Sequence, residues 1–252
     1  MSHPNWTNVI LMGMAMTIPS ICQAASAQVA VAANFAEPIK AVAAVLEKTT
    51  GHTLKVTTGA TGKFYAQIQN GAPFDVLLTA DTATPKKLEA EGLTVANTRF
   101  TYATGKLVLW STKAGRVDEN GKVLQAADLG KVSYANPKVA PYGAATIQAI
   151  GALGLTQAIT PKLVQGESIG QAFTFVATGN ADVGFVALSQ VLEGGQLKSG
   201  SMWVVPQRLY DPIRQDAVLL KKGQSNEAAK ALLQLLQSPN IKDLIRSYGY
   251  EL

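Results

Sequence analysis

Cysteine and histidine are almost missing from this chain of 252 residues, which carries one of the first and two of the second. A single cysteine excludes a disulfide scaffold. Cys22 and His3 fall in the N-terminal apolar segment, so only His52 remains beyond it. That leaves no thiolate for metal binding or nucleophilic attack and no second histidine for a His-rich metal site. Charged residues are also scarce, at 15% against 47% hydrophobic, which excludes a disordered, highly solvated chain. Lys and Arg outnumber Asp and Glu by 22 to 17, but the basic residues are dispersed, with no cluster of five or more. Nucleic acid and polybasic membrane binding are therefore not indicated. No repeat of fixed period marks a collagen or a coiled coil.

Residues 1–27 contain no Asp, Glu, Lys or Arg. An apolar run over 9–21, interrupted by Gly13 and broken by Pro19, has the length of a secretory signal and is too short to span roughly 30 Å of hydrocarbon. Ala25-Ser26-Ala27 gives a small-x-small pattern, so cleavage is expected after Ala27 and the mature protein is expected in the periplasm. Only the α-amino group and His3 supply positive charge at the start of this leader. Ile21 is too bulky for lipid attachment at Cys22, which is expected to leave with the signal.

From Gln28 the pattern alternates short apolar strands with amphipathic helices. Strands are expected at 29–33, 53–58 and 75–80, with helices at 35–50, 62–70 and 85–91 closed by Gly51, Gly71 and Gly92. A second run of the same kind has strands at 106–111, 131–135, 162–165, 183–187 and 203–205, and helices at 144–153, 169–178 and 189–193. A strand at 217–221 and helices at 226–237 and 241–248 close the chain. This order implies α/β lobes, each a mostly parallel sheet flanked by helices. No low-complexity linker separates the halves, so the chain is expected to cross between them twice, at 99–105 and 210–215. The division is then 28–103 for the first part of lobe 1, 104–212 for lobe 2, and 213–252 for the return to lobe 1.

Four strand-to-helix junctions carry the functional signal: Ala33-Asn34, Ala60-Thr61-Gly62, Pro141-Tyr142-Gly143 and Glu167-Ser168-Ile169-Gly170. In open α/β sheets ligands bind outside the carboxyl ends of the strands, so all four can face one crevice. Each helix start offers unpaired N–H groups and roughly half a positive charge. Asn34 and Thr61 are suitable N-cap residues with side chains that hydrogen-bond, and Gly143 and Gly170 would let the backbone approach a ligand closely. Four such ends would hold an oxyanion with neutral donors alone.

Other motifs fail on inspection. Gly166-Glu167-Ser168-Ile169-Gly170 matches the nucleophile elbow, but no histidine follows Ser168, and a serine without a base is a weak nucleophile. Gly59-Ala60-Thr61-Gly62-Lys63 hints at a phosphate-binding loop, yet Thr57 stands where its first glycine belongs and Phe64 where its magnesium-holding hydroxyl belongs. Asp75, Asp81, Glu89 and Glu91 are scattered and read as solvated faces. Trp110 and Trp203 fall in strands and read as packing residues.

Together, Val31-Ala32-Ala33-Asn34-Phe35, Tyr65-Ala66-Gln67-Ile68, Asn70-Gly71-Ala72-Pro73, the stretch Arg99-Phe100-Thr101-Tyr102-Ala103-Thr104-Gly105-Lys106-Leu107-Val108-Leu109-Trp110-Ser111, Asn136-Pro137, Ala140-Pro141-Tyr142-Gly143, Ser168-Ile169-Gly170-Gln171-Ala172, Gly184-Phe185-Val186-Ala187-Leu188 and Tyr248-Gly249-Tyr250 resemble the periplasmic molybdate-binding proteins, the solute-binding components of molybdate ABC transporters. The resemblance covers essentially 28–252 and is strongest to the non-enteric subgroup, which has an asparagine in the first binding loop. It implies a two-lobed type II periplasmic-binding-protein fold with two hinge crossings. It implies capture of molybdate, and of tungstate, between the lobes without cofactor, metal or counter-ion, for delivery to a membrane permease by a monomeric, non-enzymatic protein. The family's ligand positions fall on Asn34 and Thr61 in one lobe, donating through side chain and backbone, and on Tyr142 and Ile169 in the other, donating mainly backbone N–H. Molybdenum would be held only as molybdate through these four. Two positions depart from the family. Ala33 replaces a threonine of the subgroup and can offer only its N–H, and Ala187 stands where the enteric subgroup has a binding-site tyrosine. The competing readings are a binder of another tetrahedral oxyanion such as sulfate, and a serine hydrolase using Ser168. Phosphate is disfavoured because only Glu167 offers a carboxylate acceptor near the junctions. The sequence assigns Lys63 no role.

Overall fold

The computed structural model describes residues 24–252. Residues 1–23, which hold most of the leader and Cys22, lie outside that range.

The first lobe starts with β1 (Ser26–Ala32), a short 3₁₀ turn over Ala33–Phe35 and α1 (Ala36–Thr50). Helix α1 stops at Gly51, whose φ of 72° is left-handed and whose N–H returns to Glu47 O. Then follow β2 (Thr53–Gly59), α2 (Thr61–Gln69), β3 (Val76–Leu78), α3 (Ala83–Ala90) and β4 (Phe100–Gly105). The second lobe holds β5 (Leu107–Ser111), β6 (Val132–Ala135), α4 (Pro141–Ala152), α5 (Thr156–Ile159), β7 (Leu163–Gly166), α6 (Ile169–Ala177), β8 (Val183–Ala187), α7 (Leu188–Val191), the β9 (Leu192–Glu193) and β10 (Gln196–Leu197) hairpin, and β11 (Ser201–Val204). The chain returns to the first lobe in β12 (Ile213–Leu219), α8 (Glu227–Leu236) and α9 (Pro239–Ser247).

The two large sheets have the orders β2-β1-β3-β12-β4 and β11-β5-β8-β6-β7. In the first, β1 is parallel to β2 and β3, and only β12 runs against the rest. In the second, β6 is parallel to β7 and β8, and only β5 is reversed. The reversed strand in each sheet is one that follows a crossing. The expected mostly parallel, two-lobed α/β fold is therefore present. Apolar runs such as Val29, Val31, Val76 and Leu78 are fully buried because helices cover both faces. Phe35, Ile39, Val42 and Leu46 of the 3₁₀ turn and α1 pack with Leu232, Leu236, Ile241 and Ile245 of α8 and α9. Each such side chain contributes about 1.5–3 kcal/mol on burial.

Two expected elements differ. The 99–105 crossing is mostly strand: β4 pairs with β12 through Gly105 opposite Ile213, and only Lys106 separates it from β5. Its weakly alternating Phe100-Thr101-Tyr102-Ala103-Thr104-Gly105 sequence reads poorly as a strand because the pairing comes from the distant return strand. The helix expected at 189–193 ends at Val191, and Leu192 and Glu193 instead turn back through Gly194 and Gly195, both at positive φ. Gly105 is obligatory at the crossing, since a Cβ there would overlap Tyr142 Oη and stand 2.6 Å from Gln215 Nε2.

Candidate ligand-binding site

The four junctions converge. Ala33, Asn34, Thr61, Tyr142 and Ile169 line one small chamber between the lobes, closed by Ala32, Gly59, Ala60, Ala80, Ala140 and Pro141. Its cavity is about 10 Å³, room for about one water-sized sphere and far below the usual range for drug-sized or nucleotide ligands. None of these lining residues carries a charge.

Helix geometry supplies the donors. Thr61 and Ile169 are the first residues of α2 and α6, and Tyr142 is the second of α4. Their N–H groups therefore have no intrahelical acceptor. Asn34 lies in the 3₁₀ turn ahead of α1, so its N–H is in the same position.

Neither Asn34 nor Thr61 caps its helix: the caps are Ala32 and Phe35 around the turn and Ala60 before α2, none with a side-chain bond. Both polar side chains are turned to other partners and are almost fully buried, each 1% exposed. Thr61 Oγ1 accepts the Ala80 N–H at 3.0 Å, which leaves its own proton to donate elsewhere. Asn34 Nδ2 donates to Gln215 Oε1 at 2.8 Å and to Tyr250 Oη at 2.9 Å. Asn34 Oδ1, though buried, has no partner. The Asn34 carbonyl accepts from Ser189 Oγ at 2.7 Å, a bond from α7 of the second lobe to the turn of the first.

Gly143 also has a different role from the one expected. A Cβ there would overlap the Ala135 carbonyl, so it lets α4 pack on the end of β6 rather than on a ligand. Gly170 faces the other lobe, where its Cβ would stand 3.2 Å from that of Ala33. Ala187 is fully buried, and its N–H donates to Gln190 Oε1.

Outside the chamber, Gly62 N–H donates to Val139 O at 2.9 Å, and Lys63 Nζ pairs with Glu167 Oε2 at 2.8 Å, both joining the lobes. Ser168 is the N-cap of α6, its Oγ accepting the Gln171 N–H. His52 Nδ1 accepts the Ala25 N–H at the start of β2. Burial pushes the Tyr142 and Tyr250 hydroxyls well above their ordinary range, so both stay protonated near neutral pH. The acidic residues noted in the sequence are structural. Asp75 accepts from Gln28 N–H and Asn226, Asp81 accepts from the Thr84 N–H at the start of α3, Glu89 pairs with Arg99, and Glu91 accepts from Tyr65. Trp110 stacks on Phe173 and Trp203 is buried beneath Gly121, both in packing roles.

Sequence reasoning missed Gln215, Tyr250, Ser189 and Ala80. Gln215 falls in the crossing expected at 210–215, ahead of the strand expected at 217–221, so the sequence did not signal its burial or the partners a buried amide must find.

Comparison with known proteins places this geometry. The profile of the bacterial extracellular solute-binding proteins matches residues 27–251. The molybdate-binding protein ModA of Azotobacter vinelandii is 59% identical over 230 residues, covering 91% of each chain. ModA of Rhodobacter capsulatus is 54% identical over 221 residues, covering 88% of this chain and 86% of that one. The solved structure of the A. vinelandii periplasmic molybdate-binding protein superposes with a TM-score of 0.87 at 39% identity, covering 90% of this chain and 99% of that one.

Proposed function

The chain belongs to the bacterial extracellular solute-binding protein family, and from that membership we infer that it captures molybdate, and tungstate with it, between its two lobes. Delivery is to the permease of an ABC transporter, from a monomeric protein in the periplasm whose leader is removed near the start of β1. The observation that carries this reading is the convergence of four helix starts on one small chamber with an uncharged lining. The relatives named for molybdate set the ligand.

A dianion buried without a counter-ion must be met by a nearly complete set of donors. Thr61 would give its N–H and hydroxyl, Tyr142 and Ile169 their N–H groups, Asn34 its N–H and side chain, and Ala33 its N–H. None of these residues is a nucleophile activated by a base, so the reading is binding rather than turnover. Sulfate has the same charge and shape but shorter bonds to oxygen, so only cavity size can reject it. Each stretched hydrogen bond costs about 1 kcal/mol, and three or four together amount to a factor on the order of hundreds.

Titration calorimetry of the mature protein tests this. One-to-one binding of molybdate and tungstate, with sulfate and phosphate weaker by that factor, is expected. Tighter binding of sulfate would keep the fold and overturn the ligand. Thr61→Ala should weaken molybdate about 10- to 100-fold through loss of one charge-assisted bond, and wild-type affinity in that variant would place the ligand elsewhere.

A further inference from the structure

Gln215 lies on β12, the strand that returns from the second lobe, at a bulge where the pairing with β4 shifts between Gln215 and Asp216. Its side chain is fully buried. It touches one residue of the chamber from each lobe: Oε1 is 2.8 Å from Asn34 Nδ2, and Nε2 is 3.3 Å from Tyr142 Oη. Tyr102 Oη stands 3.0 Å from Oε1. We propose that Gln215 is a positioning residue that sets which end of the Asn34 amide faces the ligand. The proposal rests on the reading of Asn34 as a ligand residue.

An amide presents a donor at one end and an acceptor at the other. With Nδ2 held by Gln215 and Tyr250, the end left over is Oδ1, the one buried side-chain atom without a partner among the described residues. A carbonyl oxygen against an anion is repulsive. Asn34 cannot turn alone, because its Oδ1 would then meet Gln215 Oε1 at hydrogen-bond distance.

Turning both amides together satisfies every group. Gln215 Nε2 would donate to Asn34 Oδ1 and to Tyr102 Oη across the same separations, and Tyr250 Oη would donate to Asn34 Oδ1. Tyr102 would give its proton to Thr79 O, 3.0 Å away, and Ser189 Oγ would keep its bond to Asn34 O. Tyr142 Oη, from the second lobe, would then donate to Gln215 Oε1. Both N–H bonds of Asn34 are freed for a ligand. Since Tyr142 belongs to the other lobe, lobe closure and the paired turn reinforce one another. In that state the Asn34 end offers only donors to the ligand.

The test compares Gln215→Met and Gln215→Glu by molybdate titration at about pH 8.5, where a carboxylate is ionised and only accepts, with Thr61→Ala as a control and melting curves without ligand. The methionine leaves Asn34 free to turn and should weaken binding no more than about 5-fold, whereas the glutamate, though closest in shape, holds Nδ2 and should weaken it 30-fold or more. A glutamate milder than the methionine overturns the proposal. Thr61→Ala at wild-type affinity would instead fail the site itself. Should Gln215→Glu not fold, amide resonances of the wild-type protein decide. Molybdate should shift both the Asn34 and the Gln215 side-chain NH₂ pairs, identified by their loss in Asn34→Asp and Gln215→Met, and a shift confined to Asn34 overturns the inference.

Discussion

Lys63 Nζ and Glu167 Oε2 meet at 2.8 Å and join the start of α2 in one lobe to the approach to α6 in the other. Both side chains are about half exposed, 49% and 58%, so the pair is worth no more than about 1 kcal/mol, a factor of about 5. Lys63→Gln should raise the molybdate off-rate by up to that factor at low salt, with the on-rate little changed. The difference should vanish near 0.5 M salt, about where screening removes exposed pairs. Stopped-flow competition measures it, and an unchanged off-rate at low salt would separate this pair from closure.

Affinity should not depend on pH between about 6 and 9. Tyr142 is the one titratable side chain lining the chamber, and burial raises its hydroxyl well above the ordinary tyrosine range, as it does for Tyr102 and Tyr250 behind it. A raised tyrosine stays protonated and neutral throughout that window. Calorimetry across the range should give one value. A midpoint within it would mean that an ionising group touches the ligand.

Acid sensitivity should come from the second lobe. Asp182 is partly buried, which opposes ionisation, but Arg116, the Gly130 N–H and Lys113 outweigh that and hold its carboxyl below the usual range. A lowered folded-state pKa gives stability that is complete above the unfolded value of about 4 and is lost as pH falls through the folded one. Asp182→Asn should be less stable than wild type by about 1–3 kcal/mol at pH 7. The gap should narrow below about pH 4. Urea melts at both pH values test this, and a gap that widens in acid would reverse the argument.

The leader should be cut earlier than Ala25-Ser26-Ala27 indicates. Ser26 and Ala27 pair with Thr53 and Leu54, Ala27 is fully buried, and Asn226 Nδ2 donates to Ser26 O. Ala25 O accepts the Thr53 N–H. Cys22-Gln23-Ala24 is also small-x-small, and a cut after Ala24 keeps all these contacts. Intact mass of the exported protein should correspond to a chain beginning at Ala25. A chain beginning at Gln28 would show that β1 tolerates losing its first residues.

Much of this architecture is legible because apolar periodicity and glycine stops are local. The 36–50 helix, the strand at 183–187 and the stop at Gly51 follow from neighbours a few residues away. Positions on the chamber wall were legible for the same reason, since a helix start after a strand announces its own free N–H groups. What was not legible is long-range. Strand β4 exists because β12 pairs with it from more than a hundred residues later. The side-chain roles of Asn34 and Thr61 look like helix caps in sequence, yet Gln215, Tyr250 and Ala80 claim those atoms instead. Nothing near Asn34 in the chain points to them.

The bond between Asn34 and Tyr250 spans 216 residues, and this separation imposes an order in time. Asn34 is among the earliest residues of the mature chain to be synthesised, but the two groups that hold its Nδ2, Gln215 and Tyr250, are among the later ones. A chain stopped short of Tyr250 would build nearly all of both sheets and still lack one wall of support behind the chamber. The wall behind the chamber is therefore complete only in the finished chain.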